Sequence, residues 1–401
     1  MAEDVLVIGA GPAGIACAYY LEEAGLSYKV LDKTNEIAST WNSLYPSLRL
    51  NTTRFFSHLP GRRFPLSFGL FPTAKQYHRY VEEYAKDHDF NIHLGVTVQR
   101  IYPENGGWRV ISSEGSAWYP AVISASGRFG DPVMPQFPGM DQFKGEILHA
   151  KYYLGPEPYI GRSVMVVGNG PSGVDIATEL ADYAKPPVML SQRTGVVLRP
   201  RYPYGLPKHL WMIIAEKLPD FIGKPLEEHI KNKQYKNLER YGIKTPHSEE
   251  ETSAAGGTRG RELINAFKTG KVISVDGPQC FEPDAVVLTD GSRITPDVVI
   301  MATGYRPVLW RYLEVEADTD KDAWPLRIDE PYDEVWEGRR EVIGCPGLYL
   351  VGVFYQGKGA MYNFNTEAQA AVEEIQQHLK NLRGQQVEPA ESTEKHELKT
   401  G

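Results

Sequence analysis

The chain has 401 residues, a formal net charge of −8, and hydrophobic and charged fractions of 42% and 23%. That length holds about two or three domains with cores of their own, the composition is that of a globular protein, and the acidic balance argues against nucleic acid as a partner. No apolar run reaches the ~18 residues that span a bilayer, no signal-peptide pattern precedes the first strand, and Cys17, Cys280 and Cys345 stand too far apart for a metal knuckle or a redox pair. The expectations are no metal, no transmembrane segment and a cytoplasmic setting.

In chain order, an apolar strand at Val5–Ile8 runs into Gly9-Ala10-Gly11-Pro12-Ala13-Gly14 and then a helical pattern. This is a dinucleotide fingerprint. The first glycine makes the tight turn, the second lets the backbone approach a pyrophosphate, and the third lets the helix pack on the strand. The helix N-terminus then faces the anion. Residues 28–33 close the unit. Asp32, 23 residues after Gly9 and beside Lys33, stands where a carboxylate accepts from a ribose hydroxyl. The plainer reading of Asp32 is a surface residue ending a strand. Residues 37–72 are too irregular and too rich in proline and aromatics for regular helix. They contain the sequon Asn51-Thr52-Thr53, which we discount because no other feature suggests secretion. Residues 73–87 read as an amphipathic helix and 96–98 as a strand. Residues 108–112 and 117–125 flank the turn Ser113-Glu114-Gly115-Ser116 as a hairpin that lands on Ser126-Gly127.

Phe143, Gly145, His149 and Tyr153 then stand in the order FxGxxxHxxxY, ending ten residues before a second apolar strand at Ser163–Val167. That strand enters a second fingerprint, Gly168-Asn169-Gly170-Pro171-Ser172-Gly173. Two fingerprints imply two dinucleotides, and the usual physical reason is a flavin reduced by a nicotinamide. The second unit's next strand ends Leu190-Ser191-Gln192-Arg193, with a hydroxyl and a guanidinium where NAD-binding chains place a carboxylate. That pair suits a 2′-phosphate and favours NADPH over NADH, with a solvated strand end as the plainer role for Arg193. Residues 199–247 carry a short apolar helix at 210–218, open to a membrane-surface contact or, as we expect, to packing on the nicotinamide domain. Residues 284–289, the turn Asp290-Gly291 and residues 297–302 repeat the earlier hairpin and land on Thr303-Gly304. The pattern implies an α/β fold of two Rossmann-like dinucleotide-binding domains, one inserted into the other. The expected FAD-binding domain covers 1–155 and is completed by 307–383, the NADPH-binding domain covers 156–306, and a disordered tail covers 384–401. Residues 347–353 read as a buried strand and 365–382 as a helix.

The FxGxxxHxxxY run is similar to the identifying motif of the class B flavin-dependent monooxygenases. These include the flavin-containing N- and S-oxygenases, the YUCCA-type enzymes and the Baeyer–Villiger enzymes. The last usually end the motif with Trp-Pro, where this chain has Tyr153-Leu154. The resemblance spans about residues 4–380, and residues 242–246 and 268–275 are close to the YUCCA-type pattern. It implies FAD on the first fingerprint, with its adenine near the backbone of Val98 and further cofactor contacts at Ser126, Gly127 and Gly352. It implies that Thr40, Trp41 and Asn51 belong to the segment that wraps the flavin ring. NADPH takes the second fingerprint, and Ala302, Thr303, Gly304 and Tyr305 form the linker that leaves its domain. The implied reaction inserts one oxygen atom from O2 into a small organic substrate through a C4a-(hydro)peroxyflavin. Three chemistries stay open: N- or S-oxygenation and oxidative decarboxylation of an aryl-pyruvate, which are the ones expected, and Baeyer–Villiger attack on a carbonyl. Asn51 is the catalytic candidate, its amide hydrogen-bonding the flavin-bound oxygen and NADP⁺; the bland alternative is a turn amide holding the loop. His149 is expected to hold the crossover between domains rather than to shuttle protons. A homodimer is within the expectation. The rival reading is a flavin NADPH oxidoreductase with an external electron acceptor and no oxygen insertion, and behind it stands a flavin-bound redox sensor.

Overall fold

The computed structural model describes residues 3–192, 195–245, 259–306, 308–314, 340–342, 344–353 and 359–385. Strand Val5–Ile8 is buried along its whole length, as an apolar run in the middle of a parallel sheet must be. On one side it pairs with Tyr28–Asp32, which pairs with Ile92–Leu94. On the other it pairs with Ala121–Ser124, which pairs with Leu348–Leu350. A second all-parallel sheet repeats this order around Ser163–Val167. Lys185–Ser191 and Val272–Val275 lie on one side, Val298–Met301 and Glu146–His149 on the other.

Each sheet is the middle of three layers, because alternate side chains of a strand point to opposite faces. In the first, Val5, Val7 and Val30 pack with helices Pro12–Glu23, Ala74–His88 and Ala360–Gln385. Leu6, Ile8, Leu31 and Val122 face the antiparallel meander Val98–Glu104, Gly107–Ser112, Gly115–Tyr119. In the second, Val164, Val166 and Ile300 pack with helices Pro171–Leu180 and Gly260–Lys268. Met165, Val167 and Met301 face a matching meander, Pro278–Glu282, Ala285–Leu288, Arg293–Ile294. Full burial of one such side chain is worth roughly 1.5–3 kcal/mol, so each unit has a core able to hold its own cradle rigid.

Several boundaries differ from the sequence reading. The hairpin expected through 117–125 is two strands. Pro120, which has no amide N–H, ends the meander at Tyr119, and the chain enters the parallel sheet at Ala121. Pro296 divides Arg293–Ile294 from Val298–Met301 in the same way. Val96 is buried but precedes its strand, which begins at Val98. The helix expected at 73–87 is Ala74–His88, capped by Thr73: its Oγ1 accepts from the Gln76 N–H while Gln76 Oε1 accepts from the Thr73 N–H. The C-terminal helix starts at Ala360 rather than 365, and the expected tail beyond Gln385 lies outside the described residues. Glu146–His149, expected within 1–155, is an edge strand of the second sheet.

The chain crosses between the two units twice, and the crossings lie side by side. Tyr305 pairs with Pro132 and Arg306 with Asp131, antiparallel. The Val133 N–H donates to the Gly304 carbonyl at 3.0 Å, and Thr303 Oγ1 donates to the Val133 carbonyl at 2.5 Å. Segment 199–247 forms helices Lys208–Glu216 and Asp220–Lys231, packed on each other. Leu198, just before the segment, and Leu238 and Ile243 within it join the second core, whereas no residue of helix Lys208–Glu216 does. The rest does something else. His209 lies against Phe56, and Tyr202 against Phe71, so the segment also roofs the irregular stretch that follows the first fingerprint unit. No helix among the described residues is long and apolar enough to cross a membrane.

Candidate active site

The two fingerprints fold into matching cradles. Gly9 has φ +111° and Gly168 φ +110°, backbone that L side chains rarely adopt. A Cβ on Gly9 would sit 2.5 Å from the Ala125 carbonyl oxygen, and one on Gly168 would sit 2.5 Å from that of Ala302. A Cβ on Gly14 would sit 1.9 Å from the Gly9 oxygen, and one on Gly173 would sit 1.9 Å from the Gly168 oxygen. Gly11 and Gly170 are different: a Cβ on either meets nothing within 4 Å. The outer glycines are therefore demanded by the protein's own packing and the middle ones are not. Gly11 and Gly170 occupy the N-cap positions of helices Pro12–Glu23 and Pro171–Leu180, whose first N–H groups have no partner within the helix. Open backbone at a helix N-terminus fits a pyrophosphate, once in each unit.

The remaining predicted residues gather at these cradles with some exceptions. Asp32 Oδ2 accepts from the Ala10 N–H at 2.7 Å, and Oδ1 accepts from the Thr34 N–H at 2.8 Å and its hydroxyl at 2.7 Å. The carboxylate is thus fixed at the edge of the first cradle, with Lys33 exposed beside it. Val98 is half-buried two residues beyond Val96, whose N–H donates to the Asp32 carbonyl at 2.8 Å. Ser126 and Gly127 follow strand Ala121–Ser124, and Ala302, Thr303 and Gly304 follow Val298–Met301, so each pair of strand ends flanks its own fingerprint. Gly352, at φ +86°, abuts Ala13: a Cβ there would lie 2.6 Å from the Ala13 methyl carbon. Asn169 is buried, Pro171 is exposed and Ser172 is half-buried at the second cradle. Ser191 is 2% exposed, and its carbonyl accepts from the Gly168 N–H. Gln192 is fully buried; its Oε1 accepts from the Lys244 N–H at 3.0 Å, while its Nε2 has no hydrogen-bond partner among the described residues. Arg193 lies outside the described residues.

In the wrapping segment, Thr40 is exposed and Trp41 packs edge-on to Tyr77 at 4.6 Å. Asn51 is exposed, and its amide makes no hydrogen bond among the described residues.

The FxGxxxHxxxY run packs on the second unit, beside the place where the chain crosses between the units. The Phe143 ring meets Phe281 of the second meander edge-on at 5.4 Å. A Cβ on Gly145 would lie 2.4 Å from that Phe143 ring and 2.9 Å from the Asp297 carbonyl, so only glycine fits. His149, 1% exposed, accepts at Nδ1 from the Lys151 N–H and therefore donates from Nε2 to the Gly304 carbonyl, both at 3.0 Å. Burial holds its pKa below the usual imidazole value, so the ring stays neutral in this role. Tyr153, also buried, donates to Glu179 Oε2 on the second fingerprint helix at 2.8 Å and meets Tyr45 edge-on at 5.6 Å.

Sequence reading missed the buried acids. Asp175, on the second fingerprint helix, takes a long 3.4 Å bond from Tyr45, while its Oδ1 is buried without a partner. Burial pushes its pKa up to about 6, with Arg259, Tyr45 and Arg201 pulling the other way. Glu367, 4% exposed on the C-terminal helix, accepts from the Gly352 N–H at 2.7 Å and is pushed up to about 8, mainly by burial. A carboxyl raised in this way binds its proton more tightly folded than unfolded. Its stabilising contribution is full below the ordinary glutamate value of 4.5 and is lost as pH climbs through about 8. Glu367→Gln should therefore flatten the fall in Tm between about pH 5 and 8, each tenfold gain in proton affinity on folding being worth about 1.4 kcal/mol. Parallel Tm-versus-pH curves for parent and variant would show Glu367 to be inert.

Two adjoining cradles, one open at Gly11 and the other at Gly170, define a flavin and nicotinamide oxidoreductase. The model of the pyridine nucleotide-disulphide oxidoreductases matches residues 6–255. The chain is 31% identical over 402 residues to an Arabidopsis thaliana protein named "Probable indole-3-pyruvate monooxygenase YUCCA7", covering 94% of this chain and 90% of that one. Its fold superposes on a flavin-containing monooxygenase from Stenotrophomonas maltophilia with a TM-score of 0.68 at 23% identity, covering 94% of this chain and 99% of that one. The crystal structure of OTEMO complexed with FAD and NADP gives 0.63 at 18% identity, covering 96% and 86%. The chain belongs to the pyridine nucleotide-disulphide oxidoreductase family and, within it, to the class B flavin-dependent monooxygenases. It is an NADPH- and FAD-dependent monooxygenase.

Proposed function

We propose that this monooxygenase acts on an aryl 2-oxo acid, taking O2 and NADPH and releasing the acid shortened by one carbon. The balance is 2-oxo acid + O2 + NADPH + H⁺ → carboxylic acid + CO2 + NADP⁺ + H2O. The observation that carries this reading is the similarity to indole-3-pyruvate monooxygenases over nearly the whole chain, 94% in one case and 88% in another. Bound FAD supplies the activation of O2, which no side chain performs. The protein's part is to position, polarise and exclude water. The first cradle and Asp32 hold the FAD adenosine and pyrophosphate, the second cradle holds those of NADPH, and the Asn51 amide, free of other bonds, orients the reacting edge.

A second reading, N- or S-oxygenation, is favoured by asparagine at position 51, where the resemblance to YUCCA-type chains leads one to expect histidine. Turnover with indole-3-pyruvate, a thioether, a tertiary amine and a cyclic ketone separates the two. We expect CO2 and indole-3-acetate in step with NADPH use. Product from the thioether or the amine alone would overturn the proposal.

Arg193 is proposed to read the 2′-phosphate of NADPH. Arg193→Ala should raise KM for NADPH about ten- to a hundred-fold, because a charge-assisted bond is worth roughly 1.5–3 kcal/mol. KM for NADH should barely change. Equal effects on both nucleotides would remove Arg193 from that role.

A further inference from the structure

Arg201 is a half-buried cation whose Nε is buried, and no carboxylate among the described residues forms an ion pair with it. One Nη2 proton goes to the Leu50 carbonyl at 3.0 Å. The guanidinium carbon sits 3.7 Å over the Phe71 ring, and Nε is buried with no hydrogen-bond partner. Among the described residues no carboxylate pairs with it within 4 Å, and burial lowers its pKa from the usual arginine value. Its surroundings make the deficit worse. Arg49 repels it, and Lys208 and Arg199 repel each other close by. His209, with Nδ1 also buried and unpartnered, is pushed down to about 4 by burial and by Lys208 and Arg201, so it is neutral at pH 7. Asp175 and Glu262 attract Arg201 only through space. A buried N–H left without a partner is unfavourable, and such groups on a charged side chain mark candidates for a functional site.

The place is informative. The Leu50 carbonyl that anchors Arg201 is adjacent in sequence to Asn51, whose amide is free. We propose that Arg201 is the substrate-binding residue that takes the carboxylate of an anionic aromatic substrate, with Phe71 flattening the guanidinium into position. This rests on the 2-oxo acid reading above and deepens it. The unpartnered Nε–H and the spare Nη protons form a planar fork that matches a carboxylate bidentately, which a lysine could not do. A 2-oxo acid held there carries its C2 carbonyl one bond away from the anchored carboxylate.

The test uses FAD-loaded enzyme and needs no turnover. Indole-3-acetate and its neutral isostere indole-3-acetamide are titrated into the oxidised holoenzyme, followed by flavin absorbance. Arg201→Gln should weaken the acid about ten- to a hundred-fold and leave the amide within about two-fold. Arg201→Lys should recover part of the loss, since it restores charge without the fork. NADP⁺ affinity should stay unchanged. Equal loss of acid and amide would make Arg201 a mere wall of the site, and a matching loss of NADP⁺ would make it a nucleotide contact; either overturns the proposal. So would Asp175→Asn reproducing the loss, because the arginine's partner would then be Asp175. The failure of the 2-oxo acid reading looks different: the parent would bind indole-3-acetate through Arg201 and yet release no CO2 from indole-3-pyruvate.

Discussion

Gly11→Ala should give a folded, colourless protein. A methyl group at this position meets no protein atom within 4 Å, so the chain loses nothing of its own packing. It does stand where the backbone must touch a pyrophosphate, and keeping that backbone away from the anion removes N–H to phosphate bonds worth roughly 1.5–3 kcal/mol each. Loss of two such bonds weakens FAD by about a hundred- to ten-thousand-fold, enough to empty the site during purification. Gly14→Ala is the control. Its Cβ would lie 1.9 Å from the Gly9 carbonyl oxygen, so the helix must leave the strand and the fold itself is destabilised, by roughly 1–3 kcal/mol or more. Flavin absorbance per chain and the Tm of the apoprotein separate the two outcomes. A yellow Gly11→Ala protein with one flavin per chain would show that the first cradle holds something other than FAD.

Asn51→Ala should consume NADPH at close to the parent rate while product falls and hydrogen peroxide rises. Asn51 is exposed, and its amide makes no hydrogen bond among the described residues, so its loss takes no such bond from the loop they form. Leu50 and Thr52 on either side are buried, and they keep the segment in place. In the role proposed for it, the Asn51 amide would orient the reacting edge of bound FAD toward NADP⁺ and substrate, and the substitution would remove that group. Without it the reducing equivalents leave as peroxide, and a lost hydrogen bond of this kind costs roughly ten- to a hundred-fold in coupled turnover. The measurement is peroxide per NADPH consumed, in variant and parent at equal flavin content. An unchanged ratio would take Asn51 out of the mechanism and weaken the case for N- or S-oxygenation with it. Loss of flavin or of Tm would instead return it to a structural role.

Much of this architecture was legible in the chain because it is locally encoded. A turn at Gly9 or Gly168 needs positive φ, the third glycine needs room against the first, and both requirements act within six residues. The same holds for the apolar strands that enter the fingerprints and for the helix capped by Thr73 and Gln76. The breaks at Pro120 and Pro296 were also present in the sequence, and the hairpin pattern around them hid their meaning.

From sequence alone came the two cradles, their order, the duplicated meander and the class of cofactor, because each depends on spacing within one stretch of chain. Tertiary structure alone decided three things. The FxGxxxHxxxY run is tied to the second unit, since His149 finds its acceptor at Gly304 and Tyr153 its acceptor at Glu179, far away in sequence. Gln192 turns inward to Lys244. Segment 199–247, featureless as a string, carries Arg201 across 151 positions to the carbonyl beside Asn51. Burial and missing partners are properties of what surrounds a side chain, and no local pattern records that Arg201 Nε and Asp175 Oδ1 are both left without a bond.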